Sequence, residues 1–157
     1  MRLRDATPED LDFILAQESR QDFADYIYSW PRAQHLAALE DPDYRHLVAE
    51  QDGGLRGYVI LCGLTSPDRA VELKRIAVAT PGLGLGKAIL RGVIRAVFEV
   101  HRAERLWLDV FADNPRAQAA YRAVGFVEDG VERATELRDV PLIVMSISRR
   151  EGPTATS

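Results

Sequence analysis

The chain has 157 residues, the length of one domain, and a domain of that size buries roughly 70% of its unfolded surface, so its core needs no disulfide or metal staple. A composition of 46% hydrophobic and 28% charged residues excludes disorder for the chain as a whole. Twenty lysines and arginines against 24 aspartates and glutamates leave a net charge of −4, which argues against nucleic acid or an anionic membrane held by a basic surface.

Arg2-Leu3-Arg4 reads as a short strand. Thr7-Pro8-Glu9-Asp10 is a helix start, with a hydroxyl N-cap, proline at the first helical position and acids in the first turn. Leu11, Ile14 and Leu15 follow at helical spacing. A second helix is predicted from about Pro31 to Leu39 with Leu36 and Leu39 inward. It stops at Asp41-Pro42 because the residue before a proline avoids the helical region. Strands over Arg45 to Gln51 and Leu55 to Leu64 are joined by Asp52-Gly53-Gly54, a hairpin signal, and a third strand, Val71 to Ala79, runs antiparallel to the second.

Gly82, Gly84 and Gly86 then introduce a long amphipathic helix. Ile89, Val93 and Val97 lie beside Leu90, Ile94 and Phe98, while Lys87, Arg91, Arg95 and Glu99 take the other face. Leu106 to Val110 is a buried strand by composition. Asn114-Pro115 opens a short helix that Gly125 ends, and strands over about Phe126 to Glu136 and Leu142 to Ser148 close the sheet. The order β-α-α-β-β-β-α-β-α-β-β specifies an α/β domain. It has one mixed, mostly antiparallel sheet of about six or seven strands flanked by about four helices. Residues 1–150 form this domain, and 151–157 read as a frayed polar tail.

One cysteine, Cys62, excludes an internal disulfide and a Cys-rich metal site, and it fits a reducing compartment. The opening MRLRDATPED lacks the apolar run of a secretory signal, and the apolar stretch Tyr58 to Leu64 is too short to span a bilayer. The expectation is a cytoplasmic protein with no membrane and no nucleic-acid partner. His35, His46 and His101 are scattered without metal-ligand spacing and receive no role.

The most informative stretch is Val78 to Lys87. A glycine loop between a strand and a helix offers unpaired N–H groups and a positive dipole end to a phosphate. A P-loop is excluded twice, because Pro81 replaces the first glycine and Ala88 replaces the magnesium-binding hydroxyl. A dinucleotide fingerprint fits poorly, since the spacing is G-x-G-x-G and the loop follows a meander. A glycine-relaxed turn without a ligand is the plain alternative.

With the strand end Arg75-Ile76-Ala77-Val78, this loop resembles the pyrophosphate loop of the GNAT superfamily of acyl-CoA-dependent N-acetyltransferases. Its glycines fall on Gly84 and Gly86, with Pro81 in place of the usual Gln or Arg. A second segment resembles the same family: Leu106-Trp107-Leu108-Asp109-Val110, Asn114, Ala117-x-x-x-Tyr121 and Gly125-Phe126. The resemblance covers Val71 to Phe126 and is nearest to bacterial ribosomal-protein and polyamine acetyltransferases.

The resemblance implies a GNAT fold and acetyl-CoA as co-substrate, with no metal. Its thioester lies along Ile76, Ala77 and Val78, and its pyrophosphate on Gly82, Leu83, Gly84, Leu85, Gly86 and Lys87. Asn114, Ala117 and Tyr121 meet the rest of the cofactor. Tyr121 becomes the general acid for the departing thiolate, and Glu72 and Asp109 compete with ordered water for the role of general base. The acceptor is a small-molecule amine, a peptide or protein N-terminus, or a lysine. Phe23 to Trp30 either walls its cleft or seals the sheet. A homodimer is compatible with the resemblance. A non-catalytic acyl-CoA-binding module is the rival reading, to which Pro81 gives weight.

Overall fold

A computed structural model of the protein describes residues 1–20, 29–136 and 138–149. The first half of the chain forms β1 (Arg2–Asp5), α1 (Leu11–Glu18), α2 (Arg32–Glu40), β2 (Tyr44–Gln51), β3 (Gly54–Cys62) and β4 (Ala70–Val78). The second half forms α3 (Leu85–Arg95), β5 (Arg105–Phe111), α4 (Pro115–Ala123), β6 (Val127–Arg133) and β7 (Leu142–Ser148). The strands make one sheet in the order β1-β2-β3-β4-β5-β7-β6. Every neighbouring pair is antiparallel except β4 and β5. The predicted α/β architecture is therefore present. The proposed tail, 151–157, and residues 23–28 of the aromatic segment lie outside the described residues.

Local chemistry explains most of the boundaries and three departures from expectation. Asp52 and Gly53 both take positive φ (54° and 76°), the conformation that lets a tight hairpin follow the strand twist. The first turn after Thr7 is a 3-10 turn, Pro8–Asp10, held by the Thr7 N–H donating to Asp10 (2.8 Å) and by the Arg4–Asp10 ion pair (2.7 Å). β3 ends at Cys62 rather than Leu64. The Asp43 carboxylate accepts from the N–H groups of Gly63 (3.1 Å) and Thr65 (2.9 Å), and Gly63 turns to a φ of 81°. In α2 the buried residues are His35 and Ala38, Leu39 packs partly buried on the core as expected, and Leu36 is 40% exposed, because His35 turns in to meet a buried carboxylate.

Two apolar clusters lie on opposite faces of the sheet. The first, with Leu61, Leu90, Leu106, Phe126 and Met145, fills the space under α3 and α4. The second, with Leu11, Ile14, Trp30, Tyr58 and Ile60, sits under α1 and α2. β4 serves both, because it changes face midway. Leu73 opposes Leu61 and Arg75 opposes Ile60, which leaves Lys74 as the extra residue of a bulge. Val71 and Leu73 therefore point into the first cluster, whereas Ala77 points into the second and Ile76 and Val78 return to the first.

The same strand parts from β5. Their parallel pairing covers only Ala70–Arg105, Val71–Leu106 and Glu72–Trp107. From Leu73 onward β4 presents an edge that β5 does not pair.

α3 can lie close to the sheet only over small residues. A Cβ on Gly57 would come within 2.6 Å of the Ala77 carbonyl oxygen and 2.9 Å of Ile89. The variant Gly57→Ala is expected to lose about 1–3 kcal/mol, as overpacked cores do, measured by urea denaturation.

Candidate active site

The gap between the diverging strands is the natural place for a ligand. Alternate backbone N–H and C=O groups from Leu73 to Val78, those not paired to β3, face it, and an extended molecule bearing amides can satisfy them as a missing strand would. The Ala79 N–H donates to the Arg56 carbonyl (2.8 Å), so by alternation the backbone groups of Ile76 and Val78 turn to this free edge and those of Ala77, between them, to β3. The β4 end is fixed from outside: the Arg20 guanidinium, just beyond α1, donates to the carbonyls of Val78 (3.0 Å) and Ala79 (2.7 Å). Sequence reading overlooked Arg20, since nothing local links it to residues 58 and 59 positions later.

At the same end the glycine loop leads into α3. Gly82 and Gly84 have φ of 88° and 73°, conformations that favour glycine, and Gly84 is the residue before the helix. Gly86 is different. Its backbone is helical, and a Cβ there would meet nothing within 4 Å, so no strain or crowding inside the protein asks for glycine. The N–H groups of Leu85, Gly86 and Lys87 are those of a first helical turn, which has no intrahelical partners for them. With the helix dipole they form a site for an anion, open on the side where a side chain would stand. Leu83 beside it is 68% exposed, and Pro81 and Lys87 are exposed too.

α4 follows β5 and lies against α3. Asn114 Oδ1 accepts from the Ala117 N–H (3.3 Å), so this side chain caps the helix. Gln118, which sequence reading did not single out, donates from Nε2 to the carbonyls of Phe111 (3.0 Å) and Ala112 (3.2 Å), fastening α4 to the end of β5. Ala117 and Tyr121 pack against the first cluster, and Tyr121 meets Phe126 edge-on at 5.7 Å. Burial, followed by the charge of Asp109, pushes the Tyr121 phenol up to about 12. It is therefore protonated at neutral pH, and among the described residues its hydroxyl makes no hydrogen bond.

The two acids stand differently. Glu72 sits where β4 and β5 are still paired, at the closed end of the gap, and accepts from the Cys62 thiol (3.3 Å) rather than pairing with Lys74 or Arg75. Asp109 lies farther along β5, close enough to Tyr121 to affect its ionisation, and pairs with Arg133 (2.9 Å) rather than with Arg116. Arg105 and Arg133 flank the Trp107 ring on the same strand, at 6.0 and 5.9 Å from its centroid.

Behind β4, two of the three histidines enter a buried polar cluster, which corrects their reading as residues without a role. Glu18 Oε1 accepts from His35 Nε2 (3.0 Å) and the Trp30 N–H (3.1 Å), and Oε2 accepts from Tyr58 (2.8 Å) and Arg75 (2.5 Å). His35 Nδ1 meets His46 Nε2 at 3.1 Å, and the buried His46 Nδ1 has no partner among the described residues. Burial would raise the Glu18 carboxyl. The hydrogen bond from His35, the Arg75 charge and the bonds from Tyr58 and Trp30 outweigh it and hold the group at about 2. Burial, with His35 and Arg75 nearby, pushes His46 down to about 4. Held neutral, His46 can place its one proton on Nε2 and donate to His35, leaving Nδ1 as the unpaired acceptor.

A family model described as acetyltransferase (GNAT) family matches residues 9–126. An N-alpha-acetyltransferase RimI of Mycobacterium tuberculosis is 33% identical over 107 residues, 66% of this chain, which spans 65% of that relative's length. An N-alpha-acetyltransferase of Sulfurisphaera tokodaii is 30% identical over 143 residues, 84% of this chain and 83% of its own. Among solved structures, a spermidine N-acetyltransferase from Vibrio cholerae in complex with CoA and spermine superposes with a TM-score of 0.84 at 23% identity, covering 96% of both chains.

The buried cluster sets a pH dependence. Between the ordinary histidine value of 6.5 and about 4, unfolded His46 takes up a proton that the folded protein refuses. Glu18 acts in the same direction between 4.5 and about 2. Stability therefore falls as pH drops below 6.5 and again below 4.5. Denaturation midpoints across this range should show both slopes, and His46→Leu should flatten the upper one.

Proposed function

The chain belongs to the acetyltransferase (GNAT) family and is an N-acetyltransferase with acetyl-CoA as its co-substrate; on that premise we propose a mechanism and an acceptor class for it. The observation that carries the reading is the unpaired β4 edge running directly into an open helix N-terminus. The edge takes the amide-bearing arm of the co-substrate through Ile76 and Val78, and the N–H groups of Gly82 to Lys87 take its pyrophosphate. Pro81 supplies no N–H, so the helical turn carries that contact.

Transfer is direct. Cys62 is a poor acyl carrier, because burial and neighbouring Glu72 push its thiol up to about 12. The amine attacks the thioester carbon while backbone N–H groups of the β4 edge polarise the carbonyl oxygen. The tetrahedral intermediate collapses as the C–S bond breaks, and Tyr121 protonates the departing sulfur. Asp109, shorter than a glutamate by one methylene, receives the proton of the amine through a water, and Glu72 stays a partner of Cys62.

The acceptor is the N-terminus of a peptide or protein. Both sequence relatives named for this chain are N-alpha-acetyltransferases, which favours that acceptor over a polyamine. The same reading takes the protein as cytoplasmic. It also takes it as a homodimer joined along β6, which exposes Val127 (53%) and Val131 (49%). Among the described residues, no helix is long and apolar enough to cross a membrane.

A panel of amines, assayed by release of CoA thiol, should show turnover with peptides carrying a free N-terminus and little with spermidine. Tyr121→Phe should lower kcat roughly 100-fold or more with acetyl-CoA affinity retained, the usual range for losing a general acid. Asp109→Asn should lower kcat more than Glu72→Gln. An unchanged rate in Tyr121→Phe would remove the general-acid role. Acetyl-CoA binding without turnover of any amine would favour a binding module.

A further inference from the structure

The end of α1 grips β4 on both sides of Ile76-Ala77-Val78. On one side Arg20 holds the carbonyls of Val78 and Ala79. On the other, Glu18 holds Arg75, the first residue after the bulge at Lys74, through a pair with both side chains buried (7% and 1% exposed). The Glu18 carboxylate also gathers Tyr58 from β3, His35 from α2 and the N–H of Trp30, and the Trp30 ring lies 5.2 Å under the Arg75 guanidinium. The Glu18 carbonyl accepts from Ser29 (3.0 Å). One residue thus fastens the helical layer to the bulged strand at the point where its edge leaves β5.

We propose that Glu18 is a positioning residue for acyl transfer, fixing the bulge of β4 through Arg75 so that the N–H groups of Ile76 and Val78 are aimed at the reacting carbonyl. This rests on the placement of the thioester along that edge given under Proposed function. A neutral or displaced group at position 18 removes the carboxylate that ties Arg75 to the end of α1, and the strand relaxes at its bulge. The pyrophosphate site on α3 is built from other residues and is unaffected. Its loss therefore falls on the chemical step and not on co-substrate binding, since misplacement on the order of 1 Å costs about 100-fold in rate.

The test compares Glu18→Gln and Tyr58→Phe with the parent, well below their melting temperatures, measuring kcat, the KM for acetyl-CoA and its Kd by calorimetry. Tyr58→Phe removes a single donor to Oε2 and keeps the ring, so it decides the matter if Glu18→Gln does not fold. The expected result is a kcat lowered about tenfold or more in Glu18→Gln and less in Tyr58→Phe, with Kd and KM near the parent's, in line with positional losses in other enzymes. A merely structural role would lower the melting temperature and leave kcat alone, and that outcome overturns the proposal. So does a loss confined to KM. A parent that neither binds acetyl-CoA nor acetylates any amine overturns the functional reading itself, whereas an active parent with parent-like variants overturns only the role of Glu18.

Discussion

Beyond Glu72 the two central strands part, and almost everything else about this molecule follows from how that parting is held. A parallel pair of three residues is a short seam for the middle of a seven-stranded sheet. A bulge at Lys74 bends β4 away, and a change of face lets one strand feed both apolar clusters. Edges inside a fold ordinarily must be paired or covered. Here one is left open beside a helix N-terminus, so backbone hydrogen-bonding capacity and dipole charge converge in one channel without a single catalytic side chain being needed to create it.

What keeps the opening in one shape is polar rather than apolar. A buried carboxylate costs several kcal/mol to desolvate, and the cost is offset only when its oxygens are fully engaged. Glu18 meets that condition with donors from two strands, a helix and a backbone N–H. Apolar contacts under α1 and α2 would hold the layer to the sheet but would tolerate small slips. A carboxylate with four fixed donors tolerates few.

The sequence made the second half of the fold readable and concealed part of the first. The stripe Ile89, Leu90, Val93, Val97 and Phe98 is buried as its spacing demands, and Asn114-Pro115 and Gly125 bracket α4. Those signals are local. The Glu18 cluster is assembled across separations of 11 to 57 residues, so His35 and His46 look scattered until α2 is laid over β2 and β3. The same buried carboxylate rotates α2, which is why Leu36 faces outward although its neighbours suggest otherwise. One signal was available for the bulge. In Val71-Glu72-Leu73-Lys74-Arg75-Ile76 the alternation of apolar and polar breaks at Lys74-Arg75, where an extra residue resets the phase.

The shortness of the β4–β5 seam also bears on how the protein assembles. β2, β3 and β4 pair as neighbours in sequence, and so do β6 and β7, so each group closes short loops. Joining them requires closure across all of α3 for three rungs of backbone pairing. Backbone pairing is therefore shortest along this line, and the apolar cluster shared by both groups of strands holds them together across it. A molecule that adds rungs there does more than occupy a cleft. It completes the sheet between the two groups of strands, where the fold's own backbone pairing is shortest, and binding there adds to the stability of the whole.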